Sequence, residues 1–187
     1  NPLGGISGYT QLLMEQETEP EKTAALQRIL AEVQRCNRIV NGLLAFARRQ
    51  PAERAEVDVG EVIRNTVELR ARQLRGTDVR TEVQIDSAIR PVEGDPHQLQ
   101  QVFLNILVNA EHAIRQRGTS IEIRAAEAPP STARPGRDWI QVSFHNDGVP
   151  IPPDLLPRIF DPFFTTKGKD EGTGLGLAIC RRIVREH

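Results

Sequence analysis

Ile159-Phe160-Asp161-Pro162-Phe163-Phe164-Thr165-Thr166-Lys167, followed closely by Gly172-Thr173-Gly174-Leu175-Gly176-Leu177, is the stretch that decides how this chain is read. Three of the six phenylalanines crowd into the first segment. They serve either as core plugs or, beside the Gly-rich, charged run Gly168 to Gly174, as the aromatic anchor on which a lid hinges. The second segment places three glycines just ahead of an apolar helical pattern. Glycines before a helix N-terminus let backbone amides close around phosphate, and the helix dipole adds to that attraction. The spacing differs from the Rossmann fingerprint, and no Gly-Lys here is followed by Ser or Thr as a P-loop requires. What remains is a phosphate loop of another kind or a flexible helix cap.

Two further polar patterns lie upstream. His145-Asn146-Asp147-Gly148-Val149-Pro150-Ile151-Pro152 follows a predicted strand, where Asn-Asp-Gly is either an ordinary turn or a polar end able to receive an adenine amino group. Asn105 and Asn109 stand four apart in the helical pattern Leu99, Val102, Phe103, Ile106, Leu107, Ala110 and Ala113, so their amides share one face. Asparagine is a mediocre helix former. Such a pair either bonds to neighbouring backbone or supplies neutral oxygen to a hard cation such as Mg²⁺.

The elements around these patterns read as a helical hairpin followed by a mixed α and β domain. Ile6, Leu12 and Leu13 mark a first helix after Asn1-Pro2, and Glu15 to Glu21 with Pro20 is the turn. From Leu26 through Ile29, Leu30, Val33, Cys36, Val40, Leu43, Leu44 and Ala47, steps of three and four draw one apolar stripe on a long helix. A lone hairpin cannot bury a stripe of that length, so a symmetric four-helix homodimer through residues 1–50 is expected. Gln50-Pro51-Ala52-Glu53 reads as the linker to a second domain over 56–187. There, helices are predicted over Val59 to Leu74, from Asp95-Pro96 towards Gly118, and from near Gly174 onward. Strands are predicted over Val79 to Ile85, Ser120 to Ala126 and Trp139 to His145, the last two flanking a Pro-rich loop.

Bulk composition narrows the classes. Lys plus Arg is 24 against 25 for Asp plus Glu, with 39% apolar residues. The balance offers no basic stripe for nucleic acid and no charge excess for an anionic membrane surface. No apolar run approaches the roughly 18 residues a membrane-spanning helix needs. Membrane attachment is therefore expected only through segments outside this sequence. Cys36 and Cys180 are expected to be buried or half-buried free thiols in a reducing compartment.

Taken in order, the motifs resemble the conserved boxes of sensor histidine kinases of two-component systems. Leu104 to Ala113 is similar to the N box, Asn146 to Pro152 to the first glycine box, Ile159 to Lys167 to the F box, and Gly172 to Leu177 to the second glycine box. Gyrase, mismatch-repair and heat-shock ATPases share the N and glycine boxes but not this F box. Asn1-Pro2-Leu3-Gly4-Gly5-Ile6 resembles the second half of the H box, His-Glu-x-x-Asn-Pro-Leu. Its histidine would stand four residues before Asn1, and none of His97, His112, His145 and His187 lies in that box. The resemblance covers essentially the whole chain.

The resemblance implies an α+β chain, with a dimeric helical hairpin before a Bergerat-type α/β sandwich whose mixed sheet carries three helices on one face. It implies ATP bound between the N-box helix and the lid, with Mg²⁺ on Asn109 and with Asn105 and His112 near the phosphates. Adenine falls to Asn146 or Asp147, beside Gly148 and Ile151. Phe160, Thr166 and Lys167 belong to the lid, and Gly172, Thr173, Gly174, Leu175, Gly176 and Leu177 to the phosphate loop. The γ-phosphoryl would pass to a hairpin histidine and then to an aspartate on a response regulator receiver domain. Asn1 would occupy the position that orients water for dephosphorylating that regulator. The setting implied is cytoplasmic, or the cytoplasmic part of a membrane-bound sensor. Two departures stand out. The first glycine box usually reads Asp-x-Gly-x-Gly-Ile, whereas this chain has Asn146 at the Asp and Pro150 at the second glycine. The family also continues past His187 into further strands, so an open sheet edge is expected. A degenerate nucleotide-binding scaffold and a superfamily ATPase are the rival readings, the latter needing a carboxylate base near Asn109.

Overall fold

A computed structural model describes residues 2–47, 53–73, 79–115, 117–128, 139–168 and 172–187. The chain divides into two compact units, Asn1–Arg49 with Ile159–Ala178, and Gln50–Arg158 with Ile179–His187. Asn1, most of the Gln50 to Glu53 linker, Leu74 and the core of the Pro-rich loop lie outside the described residues.

In the first unit, helix α1 (Pro2–Gln16) and helix α2 (Pro20–Ala47) pack against each other as a hairpin. The turn is shorter than its sequence suggests, only Glu17 to Glu19, because Pro20 already opens α2. Proline loses nothing in a first helical turn, where its missing N–H would have no partner. The Glu17 carboxylate accepts from the amides of Thr18 and Glu19, each at 2.9 Å. Bonding to the Glu19 amide, with that from Thr18, holds the Glu17 carboxyl below its ordinary range. Val33 is buried, while Ile6, Leu12, Leu13, Ile29, Val40 and Leu44 on the two helices remain about half exposed. The stripe is present, but much of it faces away from the hairpin. Cys36 goes with it: expected to be buried or half-buried, it is exposed.

The second unit is built on a three-stranded sheet in the order β2-β4-β5, from Arg80–Ile85, Ser120–Glu127 and Ile140–Asn146. Strands β2 and β4 run parallel, with Val83 opposite Ile123, and β5 lies antiparallel to β4. A parallel pair needs a long crossover, and helix α4 (Pro96–Ile114) lies within that connection. Helix α3 (Val59–Gln73) packs on α4, and both reach the sheet. Ile63, Leu107, Ile121, Ile123 and Ile183 are almost fully buried, so both helices, the sheet and helix α5 (Gly176–Glu186) contribute to the core. The mixed sheet and its helices match the sandwich expected. Two short strands escaped prediction: β1 (Ala55–Val57) pairs antiparallel with β3 (Val92–Gly94). Three residues are too few to display a period.

Two polar ties fasten this unit. Asp95 caps α4 by accepting from the amides of His97 and Gln98 at 2.9 and 3.1 Å. His187 Nε2 accepts from the Asp95 amide at 2.9 Å, so its Nδ1 carries the proton and donates to the Ile183 carbonyl. The ring thereby ties the end of α5 to the start of α4. Across α3 and α4, Arg70 pairs with Glu111 through two nitrogens, one of them at 3.0 Å, and Glu111 is only 2% exposed.

Burial also separates the two thiols chemically. Loss of solvation pushes Cys180 up to about 11, despite a hydrogen bond from the Asn105 side chain. Alkylation of the native chain at pH 8 should therefore modify Cys36 within minutes and Cys180 only after unfolding. Mass spectrometry of the labelled peptides checks this; Cys180 modified at a rate like that of Cys36 would contradict its burial.

Candidate functional site

Helix α4 presents Asn105, Asn109 and His112 along one face, at steps of four and three, each partly buried. The Asn105 side chain hydrogen-bonds the Cys180 thiol, which in turn points at the Val102 carbonyl at 3.7 Å. The Asn105 amide thus has a protein partner in the neighbouring helix. Glu111 is on the opposite side of α4, turned inward to Arg70. A carboxylate held this way is taken up by the fold and has no free oxygen face with which to activate water.

At the end of β5 the chain turns through Asn146, Asp147 and Gly148. The Asp147 carboxylate accepts from the amides of Thr119 and Ser120, both contacts as short as 2.9 Å. Bonds from Ser120 first, and then Thr119, hold its carboxyl below the ordinary range. Asp147 thereby clamps the turn before β4 to the turn after β5. Gly148 lies against α4: its own next residue, Val149, donates to the Ala113 carbonyl at 3.1 Å. A Cβ at Gly148 would come within 2.5 Å of that carbonyl, so only glycine permits this approach. Ile151 beyond it is half exposed.

The F box and second glycine box lie in the first unit, where their backbones are in direct contact. Phe163 sits in the left-handed region at φ 67°, and its amide donates to the Gly174 carbonyl at 3.0 Å. Gly174 also has φ 67°, and a Cβ there would fall on the Phe163 backbone. Positive φ in a phenylalanine costs on the order of 1–3 kcal/mol and persists only where surroundings over-determine it. Here Pro162, which cannot donate, and the Gly174 carbonyl frame it. Phe163 is 57% exposed, whereas Phe160 is partly buried. Thr166 is exposed and Lys167 partly buried, its amide donating to Thr165 Oγ1 at 3.1 Å. Gly172, Thr173, Gly176 and Leu177 are partly buried around a buried Leu175, whose amide donates to Thr173 Oγ1 at 3.4 Å. Residues 169–171 of the lid segment lie outside the described residues.

The candidate residues thus divide between the two units. Asn105, Asn109, His112, Asn146, Asp147, Gly148 and Ile151 belong to the second; Phe160, Thr166, Lys167 and the loop from Gly172 to Leu177 belong to the first. The structural work of Asp147 has only a general signal in the sequence, an Asx turn after a strand. Among the described residues no group of three or more His, Cys, Asp or Glu could cage a metal ion. At both loops the missing Cβ admits another stretch of backbone, Ala113 at Gly148 and Phe163 at Gly174. Among the described residues, no helix is long and apolar enough to cross a membrane.

Comparison with known proteins agrees with these features. The family described as histidine kinase-, DNA gyrase B-, and HSP90-like ATPase matches residues 94–187. The His Kinase A (phospho-acceptor) domain matches residues 1–52. The signal transduction histidine-protein kinase AtoS of Escherichia coli (strain K12) is 35% identical over 189 residues, covering 100% of this chain and 29% of AtoS. The structure of full-length ShkA in complex with AMPPNP superposes with a TM-score of 0.71 at 25% identity, over 98% of this chain and 38% of that one. Histidine kinase ThkA in complex with response regulator protein TrrA gives 0.70 at 29% identity, over 100% of this chain and 51% of that one. The chain spans about half the length of these proteins or less. With a phospho-acceptor-type hairpin followed by this ATPase domain, and a histidine kinase aligned along its whole length, the chain belongs to the sensor histidine kinases of two-component signalling.

Proposed function

We propose that residues 1–50 form the homodimeric hairpin and residues 56–187 the catalytic domain of a protein histidine kinase, which binds Mg²⁺·ATP and drives transfer of its γ-phosphoryl to a hairpin histidine. The observation that carries this is the face of α4 that presents Asn105, Asn109 and His112 together, within motifs that occur in the family's order. The AMPPNP bound by ShkA supports the choice of nucleotide, and the ThkA–TrrA complex supports a response regulator receiver domain as the next acceptor. Cytoplasmic placement follows from the same reading.

In this reading Asn109 offers its amide oxygen to Mg²⁺, with His112 and Asn105 towards the phosphates. Asn146 and Gly148 receive the adenine edge, with Ile151 beside it. The amides of Gly174, Gly176 and Leu177 hold phosphate at the start of α5, where the helix dipole adds attraction. Thr166, Lys167 and Phe160 belong to the lid segment, with Gly172, Thr173 and Leu175 shaping the loop. The protein does no covalent chemistry of its own in this step. It positions the γ-phosphorus in line with an imidazole nitrogen and neutralises charge. A clamp-type ATPase is disfavoured because Glu111 is held by Arg70.

Asn109→Ala should abolish the Mg²⁺-dependent part of nucleotide affinity and leave the unfolding transition in place. Titration calorimetry with a non-hydrolysable ATP analogue, with and without Mg²⁺, decides this. Equal affinity in wild type and variant would remove Asn109 from the metal.

A further inference from the structure

Asn146 is the one position of the first glycine box where both a charge and a hydrogen-bonding direction depart from the family's pattern. It closes β5, with its backbone fixed opposite Ile121 in the sheet. The next two residues pin it further, Asp147 through the amides of Thr119 and Ser120, and Gly148 through its approach to Ala113. The Asp147 carboxylate is thereby withdrawn as a base reader. The Asn146 amide is partly buried and, among the described residues, makes no hydrogen bond to protein. Nothing on the protein side selects one of its two rotations about χ2, a torsion with broad two-fold freedom.

The chemistry of a free amide differs from that of a carboxylate at the same spot. A carboxylate only accepts hydrogen bonds. It can take the N6 amine of adenine but meets O6 of guanine as acceptor against acceptor. An asparagine amide carries an acceptor and two donors. In one rotation Oδ1 accepts from adenine N6; turned by half a circle, Nδ2 donates to guanine O6. We propose that Asn146 makes the base end of the nucleotide site permissive, so that this kinase core takes GTP as well as ATP. The inference rests on the nucleotide reading given above and deepens it to the choice of purine.

The test is calorimetric titration of the chain with AMP-PNP and GMP-PNP in Mg²⁺, repeated on Asn146→Asp and Asn146→Ala. The wild type should bind the two analogues within about tenfold of each other. Asn146→Asp should shift that ratio against GMP-PNP on the order of 10–100-fold, the effect of leaving one polar group opposed instead of paired. Asn146→Ala, which reads neither base, should weaken both analogues alike. Wild-type discrimination against GMP-PNP well beyond tenfold, or an unchanged ratio in Asn146→Asp, overturns the inference while leaving ATP binding intact. Failure of both analogues to bind wild type overturns the nucleotide reading, and this inference with it.

Discussion

Arg70→Ala should lower the unfolding free energy by about 3–5 kcal/mol, because it strands a buried carboxylate. Glu111 is 2% exposed, and Arg70 is its guanidinium partner from a helix 41 residues earlier. The bond to Glu111 is also what raises the Arg70 pKa above its ordinary value. With arginine gone, the Glu111 carboxylate stays in the packing of α3 on α4 without its guanidinium partner. Glu111→Gln keeps the shape and removes the charge, so it should cost less than Arg70→Ala. Replacing both with methionine should recover much of the loss, since a well-packed apolar pair can match a buried ion pair. Urea unfolding of the four proteins measures this. An Arg70→Ala midpoint indistinguishable from wild type would mean that the pair is not formed in solution.

The second large effect concerns assembly. Ile29 and Val40 are both 47% exposed on α2, three turns apart and hence on one face. In the proposed four-helix dimer they pack against the partner hairpin. The double substitution Ile29→Glu/Val40→Glu puts two carboxylates per protomer into that seam, each with a desolvation cost of several kcal/mol. Dimer affinity should fall by at least about 10³-fold, and light scattering should report monomers at micromolar protein. These positions are preferable to Val33, which is buried within the chain, so that glutamate there would damage the hairpin itself. A wild-type chain that is monomeric at high concentration, or a variant that stays dimeric, would refute dimerisation through this face.

The helices and longer strands were legible because their signals are local and repeat. Leu99 to Ala113 shows α4 in its spacing, and Val79 to Ile85 shows β2 by alternation. The direction a stripe faces is not local information, which is why Cys36 was placed inside and is exposed. Likewise β1 and β3 exist only through pairing between residues some forty apart, with three residues each to advertise it. The site divides along the same line. The glycines and asparagines could be named from their order, since backbone approach and hard-oxygen ligation demand particular residue types. The commitment of Asp147 to Thr119 and Ser120, and of Asn105 to Cys180, depends on chain segments brought together only by folding.

The most direct measurement of the central claim is incubation with γ-labelled ATP of two proteins, residues 1–187 and the chain extended upstream through the histidine that the H box calls for. Transfer requires an imidazole near 3–3.5 Å from the γ-phosphorus, and the four histidines of residues 1–187 all lie outside the hairpin. Acid-labile label is expected on the extended chain, with none on residues 1–187 and none on the extended chain carrying Asn109→Ala. Stable label mapped to His97, His112, His145 or His187 would contradict it, as would an extended chain that binds Mg²⁺·ATP and never becomes phosphorylated.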